Sequence, residues 1–477
     1  MRKHFYIILL SIIGFHAHAQ TYNYTDLGIL FSSNNNTGTA RFTGLNGAMG
    51  AVGGDLSSLN INPAGIAIYH HSEISLTYGS INHSNETNYY ESTQSNQSTT
   101  FNRNQVGAVI VFDDPLIANN WSKVSFAINH QRTANFHTRN SFFGNSRFPS
   151  FISHPNDSDP ENTYENAISQ SFYNYIDGKS SKLNLALAGQ YGKNFYAGFS
   201  LNIHHLDFSQ STTLNELSTD EDDNILDALT TENLNETADG FSINVGFIYK
   251  PIRAVRLGLS FESPIWYELS EEANTRELIA SIPAENIEAA APYTNNSNLD
   301  YLLRTPSKLS LSGALVIGKI GFINLDYTYK AYNTLSTDPP QHLSNLDPIN
   351  NQEIINGFKE NNQYFSDVLQ NTHNINIGGE FRVKNTSLRF GVGHEQSPFR
   401  KSLNARDFDI LSIGDQLTSS LGAGFRFGAS RLDLAYRKVL QNNKYDFNDL
   451  NQQYERINAG SVNNKNSRII ATYTCSF

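Results

Sequence analysis

Lys330 and Arg437 are the two cations whose positions suit the capture of an acidic ligand. Lys330 lies in an alternating run at 321–332 and Arg437 in another at 431–440. Side chains two apart in a strand share a face, so Asn324, Asp326, Thr328 and Lys330 point one way, and Arg431, Asp433 and Arg437 likewise. A Lys or Arg on an enclosed face attracts a carboxylate head group. The same residues fit a second role: Asp326–Lys330 and Asp433–Arg437, each four apart on one face, belong to charge networks that brace an interior. Glu380, Arg382, Arg389 and Glu395 add charges of the same parity. Other chemistries are poorly served. His204 and His205 are adjacent on a strand, so they point to opposite faces and cannot share an ion. His70 and His71 precede a strand and read as a solvated turn. Asp220, Glu221, Asp222 and Asp223 offer hard oxygens without EF-hand spacing. The chain contains no G-x-S-x-G, H-E-x-x-H or C-x-x-C, and its Gly-rich stretch 44–69 holds neither G-x-G-x-x-G nor G-K-[ST]. No enzyme, cofactor or metal site is expected.

The elements that must position these residues are strands. Period-two patterning marks fourteen, at 72–81, 105–112, 123–132, 181–191, 195–208, 240–250, 255–267, 307–317, 321–332, 373–383, 388–395, 417–427, 431–440 and 467–477. Most are close to the ~9–11 residues of a tilted membrane strand. Alternation also suits a soluble β-sandwich, so an exported carbohydrate binder is a competing class. The connections discriminate. Tight turns at 192–194, 251–254, 318–320, 384–387 and 428–430 alternate with long polar links at 133–180, 209–239, 268–306, 333–372, 396–416 and 441–466. One short-side connection, 113–122, is longer and holds Pro115 and Trp121. Sorting short and long links to opposite ends is the signature of a transmembrane barrel. Outward Tyr191, Phe195, Tyr249, Phe381, Phe427 and Phe477 would form one aromatic girdle, and Tyr78, Tyr267 and Tyr329 the other.

The totals agree with an exported β-protein. Arg2 and Lys3, the apolar run 5–15 and Ala17-His18-Ala19 describe a signal peptide over 1–19, with Gln20 as the mature start. Beyond it no apolar run approaches the ~18 residues of a membrane helix. The chain has 477 residues, 17% charged and 12% aromatic, with a mean hydropathy of -0.41. Low charge and many aromatics suit strands over helices. A single cysteine, Cys475, rules out an internal disulfide. The net charge is -11, and -13 once Arg2 and Lys3 are removed, which argues against a nucleic-acid partner. Residues 20–71 read as an N-terminal hatch ahead of a barrel at 72–477. Its centre is the Gly- and Ala-rich stretch 44–69, whose small residues allow close backbone packing and whose Asn62-Pro63-Ala64-Gly65 reads as a turn. An ordinary flexible linker is the plainer alternative for that stretch.

Asn62-Pro63-Ala64-Gly65, the stretch Thr305-Pro306-Ser307 through Tyr332, LGAGFRFGASRLDLAY at 421–436 and the terminal Phe477 together resemble the FadL-type outer-membrane transporters. The resemblance covers nearly the whole mature chain; its motifs are individually weak, and their order and the strand count are more specific. It implies an all-β fold: a 14-stranded antiparallel transmembrane barrel in a Gram-negative outer membrane, plugged by the hatch, with both termini periplasmic. It implies passive uptake of hydrophobic or amphipathic small molecules such as long-chain fatty acids. Asn62, Pro63, Ala64 and Gly65 would shape the gate, and outer-membrane lipids would surround the barrel. Sideways release through a strand kink is part of that pattern; Pro264 and the stretch 129–136 are the candidates, although Pro264 near a strand end also reads as a simple end of pairing. The alternating last strand ending at Phe477 resembles the signal read by barrel assembly machinery. The long Asn-rich links favour a second class, a FadL-like barrel that serves as a scaffold for surface or secretion proteins.

Overall fold

The computed structural model describes residues 21–33, 37–113, 120–154, 163–282, 288–289, 292–340, 352–400, 411–446 and 459–477. The expected signal peptide and Pro115 lie outside them. Fourteen strands follow one another: β1 (Glu73–Tyr89), β2 (Ser92–Phe112), β3 (Trp121–Asn135, resuming as Thr138–Gly144), β4 (Asn166–Tyr191), β5 (Phe195–Thr219), β6 (Ile225–Ile252), β7 (Val255–Glu262 and Trp266–Ile282), β8 (Glu288–Ala289, Tyr293–Arg304 and Lys308–Ile317), β9 (Gly321–Lys330), β10 (Thr372–Val383), β11 (Thr386–Glu395), β12 (Leu411–Phe427), β13 (Ser430–Tyr445) and β14 (Gly460–Ser476). Neighbours pair antiparallel, and β1 pairs with β14 from Glu73↔Ser476 to Asn88↔Ser461, closing the sheet. Closure satisfies backbone groups that lipid could not.

All fourteen expected strands are present at their expected places. The outward rows are apolar and exposed, as in Ile74, Leu76 and Tyr78 on β1 or Phe241, Ile243, Val245, Phe247 and Tyr249 on β6. Aromatic pairs bound this band. Trp121 meets Tyr191 at the short-turn end, with ring centroids 5.5 Å apart, while Phe241–Trp266 and Tyr78–Phe101 sit at the other end at 5.1 and 5.9 Å.

Several polar links prove to be strand. β5 and β6 run on beyond the apolar band and pair up to Thr219↔Ile225. Their period of two continues in a more polar alphabet, with Leu206, Phe208, Leu214, Leu226 and Leu234 buried on the inner side. The link 333–372 contains the helix α3 (Gln352–Val368).

Tyr267 departs from expectation. It is buried, and Trp266 takes the outward place. The cause is the break Ser263-Pro264-Ile265. Below it odd-numbered residues face out (Leu257, Leu259, Phe261), and above it Trp266 does. The ladder with β6 slips by one residue, from Asn244↔Glu262 to Phe241↔Trp266. β8 breaks at the same level, at Thr305-Pro306-Ser307, so β7 and β8 keep their mutual register. Proline lacks an N–H, and hydroxyls mend the ladder: Ile265 N donates to Thr305 Oγ1 and Ile243 N to Ser263 Oγ, each at 2.9 Å.

Inside the barrel lie a helix α1 (Tyr24–Ser32), a short helix α2 (Ala40–Gly44) and two 3-10 turns, Leu56–Asn60 and Pro63–Ile68. Asn23 caps α1 and Thr39 caps α2 through side-chain oxygens. Thr21 N bonds Glu232 on the outer extension of β6, whereas Phe477 N bonds Ser72 at the short-turn end. Thr21, the first described residue, therefore lies at the opposite end of the barrel from Phe477. The N-terminal segment climbs the lumen because α1 has an apolar seat there, among Phe136, Phe208, Tyr301 and Phe358.

Candidate functional site

The turn Asn62–Gly65 is seated on the barrel wall. Asn62 Nδ2 donates to Gly50 O at 2.9 Å and to Phe247 O of β6 at 3.0 Å, while its Oδ1 accepts from Ala64 N at 3.0 Å and so starts the 3-10 turn. Pro63 suits the first position, where no N–H is needed. The wall admits this backbone because its facing residues are glycines. A Cβ at Gly198 would lie 2.5 Å from Ala64 N, one at Gly258 2.6 Å from Gly50 O, and one at Gly246 would overlap Asn62 Oδ1. Across the lumen Gly378 and Gly391 make the same room for Leu45. Asn46 follows, with φ 54°, a left-handed conformation that Asn tolerates.

Charges lock the segment to the wall. Arg41 Nε donates to Glu380 Oε2 at 2.9 Å, and Arg389 to the same oxygen at 2.8 Å and to Asp433 Oδ1 at 2.7 Å. Arg431 and Arg382 complete the network at 2.6 Å from Asp433 and Glu380 respectively. Asp326 accepts from Met49 N and Gly50 N at 2.9 and 3.0 Å. Inward charges therefore do form networks, as the bracing reading had it. Their partners differ: Asp326 holds the hatch backbone rather than Lys330, and Asp433 holds Arg389 and Arg431 rather than Arg437.

Lys330 is paired with Glu395 of β11. Arg437 is buried, and its Nε donates to Asn46 Oδ1 at 3.1 Å. Asn46 Nδ2 in turn donates to Thr418 Oγ1 and Asn376 Oδ1, at 2.7 and 3.0 Å. Arg437 thus ties the hatch to β13. Both residues line a small polar cavity of about 50 Å³ above the hatch. A larger cavity of about 210 Å³ adjoins it, sharing Glu395 and Gln416. Its lining mixes apolar groups, Ile29 and Leu30 of α1, Leu411, Val439 and Val462, with the polar His83, Asn464, Asn466 and Arg468. Arg468 is 6% exposed, and its Nε and Nη1 have no hydrogen-bond partner. It stands directly opposite Arg437 in the β13–β14 register. Sequence reasoning passed over Arg468. The signal was its alternation with Ile469, Ala471 and Tyr473, whose outward placement turns Arg468 inward.

The wall has a seam on one side. β2 and β3 stop pairing at Gln105↔Gln131, and β3 bulges between Arg132 and Ala134. The hatch reaches this point: Thr37 Oγ1 donates to Arg132 O, and Asn60 accepts from Gln131 Nε2. Of the two kink candidates, 129–136 borders this seam; Pro264 marks the mended break described above. At the short-turn mouth a vestibule of about 850 Å³ opens below the hatch, lined by Arg41, Arg256, Arg382, Arg389 and Arg431 among others. The other motifs have local roles. His204 bonds Ser242 inside and His205 bonds Asp239 outside, and Asp220 closes its hairpin turn through Asn224 N at 2.8 Å.

Residues 28–477 match the model of the family described as outer membrane protein transport protein (OMPP1/FadL/TodX). No curated protein matches the chain in sequence. Among solved structures, a Pseudomonas aeruginosa FadL homologue superposes with a TM-score of 0.57 at 14% identity, covering 92% of this chain and 98% of that one. The P. putida toluene transporter TodX and the Ralstonia pickettii toluene transporter TbuX each give 0.52 at 11% identity, covering 93% of this chain and 99% of theirs. These likenesses concern the fold.

Proposed function

The chain belongs to the FadL/TodX family of outer-membrane transport proteins, and from that premise we propose that it is a passive channel for amphipathic molecules that pair an apolar body with an anionic head, such as long-chain fatty acids. The observation that carries this reading is Arg468. Like charges directly opposite in a ladder repel, and a buried guanidinium without an acceptor is costly. An anion between Arg437 and Arg468 relieves both penalties, while Ile29, Leu30 and Val439, which line the same cavity, take the apolar part.

The same arrangement supplies a gate. Arg437 holds Asn46 of the hatch. A carboxylate that draws Arg437 towards Arg468 competes with that bond and loosens the hatch at Asn46. Thr37 and Asn60 then leave the β2–β3 seam, which offers a sideways exit at the outer edge of the apolar band. Asn62, Pro63, Ala64 and Gly65, seated on Gly198 and Gly246, act as the fixed pivot. Pro264 is the second place at which the wall could part.

The test compares ligands that differ only in head group. Arg468→Gln should weaken palmitate binding by roughly 10- to 100-fold, the worth of a hydrogen bond to a charged group. Hexadecanol binding should barely change. Equal loss for both ligands, or no loss for palmitate, would sink the proposal.

A further inference from the structure

Four cations in the tight turns at the short-turn end of the barrel have no charge partner among the described residues. Lys193 stands in the turn between β4 and β5, Arg253 between β6 and β7, Lys319 between β8 and β9, and Lys384 between β10 and β11. All four are exposed, and none has a hydrogen-bond or ion partner among the described residues. No acidic residue occupies any of these turns, nor the fifth at 428–430, while the longer connection 113–122 on the same side carries Asp113 and Asp114. The far end is the reverse: residues 209–239 hold nine acids and no base. Two exposed lysines on that side are paired, Lys179 with Asp207 and Lys465 with Glu86, each at 3.5 Å.

Position decides what the four cations meet. Successive turns at one end are two strands apart, which spaces the charges by about 10 Å along an arc of the rim. Each arm of that arc borders exposed apolar side chains: Ile252 beside Arg253, Ile320 beside Lys319, Val383 beside Lys384 and Tyr191 near Lys193. Cations at the edge of an apolar band sit in the head-group plane, with their stems along the hydrocarbon and their charge in water. Short turns of outer-membrane barrels face the periplasm. We propose that Lys193, Arg253, Lys319 and Lys384 form a belt that binds the phosphate head groups of anionic phospholipids in the periplasmic leaflet. The apolar border favours lipid over an acidic soluble protein, which would have to cover Ile252 and Ile320 as well. The belt fixes the depth of this arc of the barrel in the membrane.

The test uses the full-length barrel in neutral detergent at low salt. Native mass spectrometry would compare retention of phosphatidylglycerol and phosphatidylcholine. The variant K193Q/R253Q/K319Q/K384Q should lose the preference for phosphatidylglycerol, and K193R/R253K/K319R/K384R should keep it. Each cation contributes roughly fivefold near an anionic surface. Equal retention of both lipids by the natural chain, or a preference that survives the glutamine variant, overturns the proposal. So does displacement of phosphatidylglycerol by polyglutamate at equal charge, which would assign the belt to an acidic protein. Displacement by inorganic phosphate at matched ionic strength would reduce it to a free-phosphate site and overturn it too.

Discussion

Glu236 and Glu271 face each other across the β6–β7 ladder, above the apolar band that ends near Phe241. Tyr301 Oη donates to Glu236 at 3.0 Å, and Tyr24 of α1 packs on Tyr301 with ring centroids 5.0 Å apart. Burial, then repulsion by Glu271, pushes the Glu236 carboxyl from 4.5 up to about 10. The folded cluster thus prefers the protonated form. Its stabilisation is complete below pH 4.5 and is lost as pH rises through about 10. Amide exchange of residues 24–32 should therefore quicken from pH 5 to pH 9, after correction for the intrinsic rate, and Glu236→Gln should flatten that trend. At this scale parity made much of the site legible. It put Lys330, Arg437, Asp326 and Glu380 inside. It could not name their partners, because Asn46 is 391 residues from Arg437 and Glu395 is 65 from Lys330. Such pairs depend on how the sheet closes, which spacing along one strand does not encode.

Among the elements, the hatch is held by many small attachments: glycine seats on both walls, the Arg41–Glu380 ion pair and the Asp326 clasp on Met49 and Gly50. The strands, by contrast, close on one another without it. Deletion of residues 44–69 should therefore leave a heat-modifiable barrel while raising permeability to small hydrophilic solutes, measured by antibiotic influx. Unchanged influx would exclude a plugging role. The strands were readable because lipid forces an apolar outward row. Where that demand ends, as in β5 and β6 above Phe241, the alternation passes to Thr, Asn and Leu and resembles a loop. Helix α3 lay in a link with no such constraint. Pro264 was visible, but its effect on sidedness needed the matching break at Pro306, a contact between strands.

For the whole molecule, closure rests on β14, which pairs with β13 on one edge and β1 on the other. Phe477 ends it beside Ser72, fully outside the lumen at 71% exposure. That exposure suits the proposed recognition of the ring by barrel assembly machinery. Removing Phe477 should lower the yield of folded barrel in the outer membrane by several-fold, scored by heat-modifiable gel mobility, while the protein refolded in detergent keeps its ladder. A matching loss in detergent would make Phe477 structural instead.

The paired breaks at Pro264 and Pro306 divide β7 and β8 into halves whose sidedness is set independently. A strand normally transmits any insertion or deletion along its length, turning every later side chain inside out. Here hydroxyl bonds to the neighbouring strands replace the ladder at the break, so a one-residue shift on the outer side is absorbed at the prolines. The outer halves of β7 and β8 can differ in length while the wall beneath them keeps its phase.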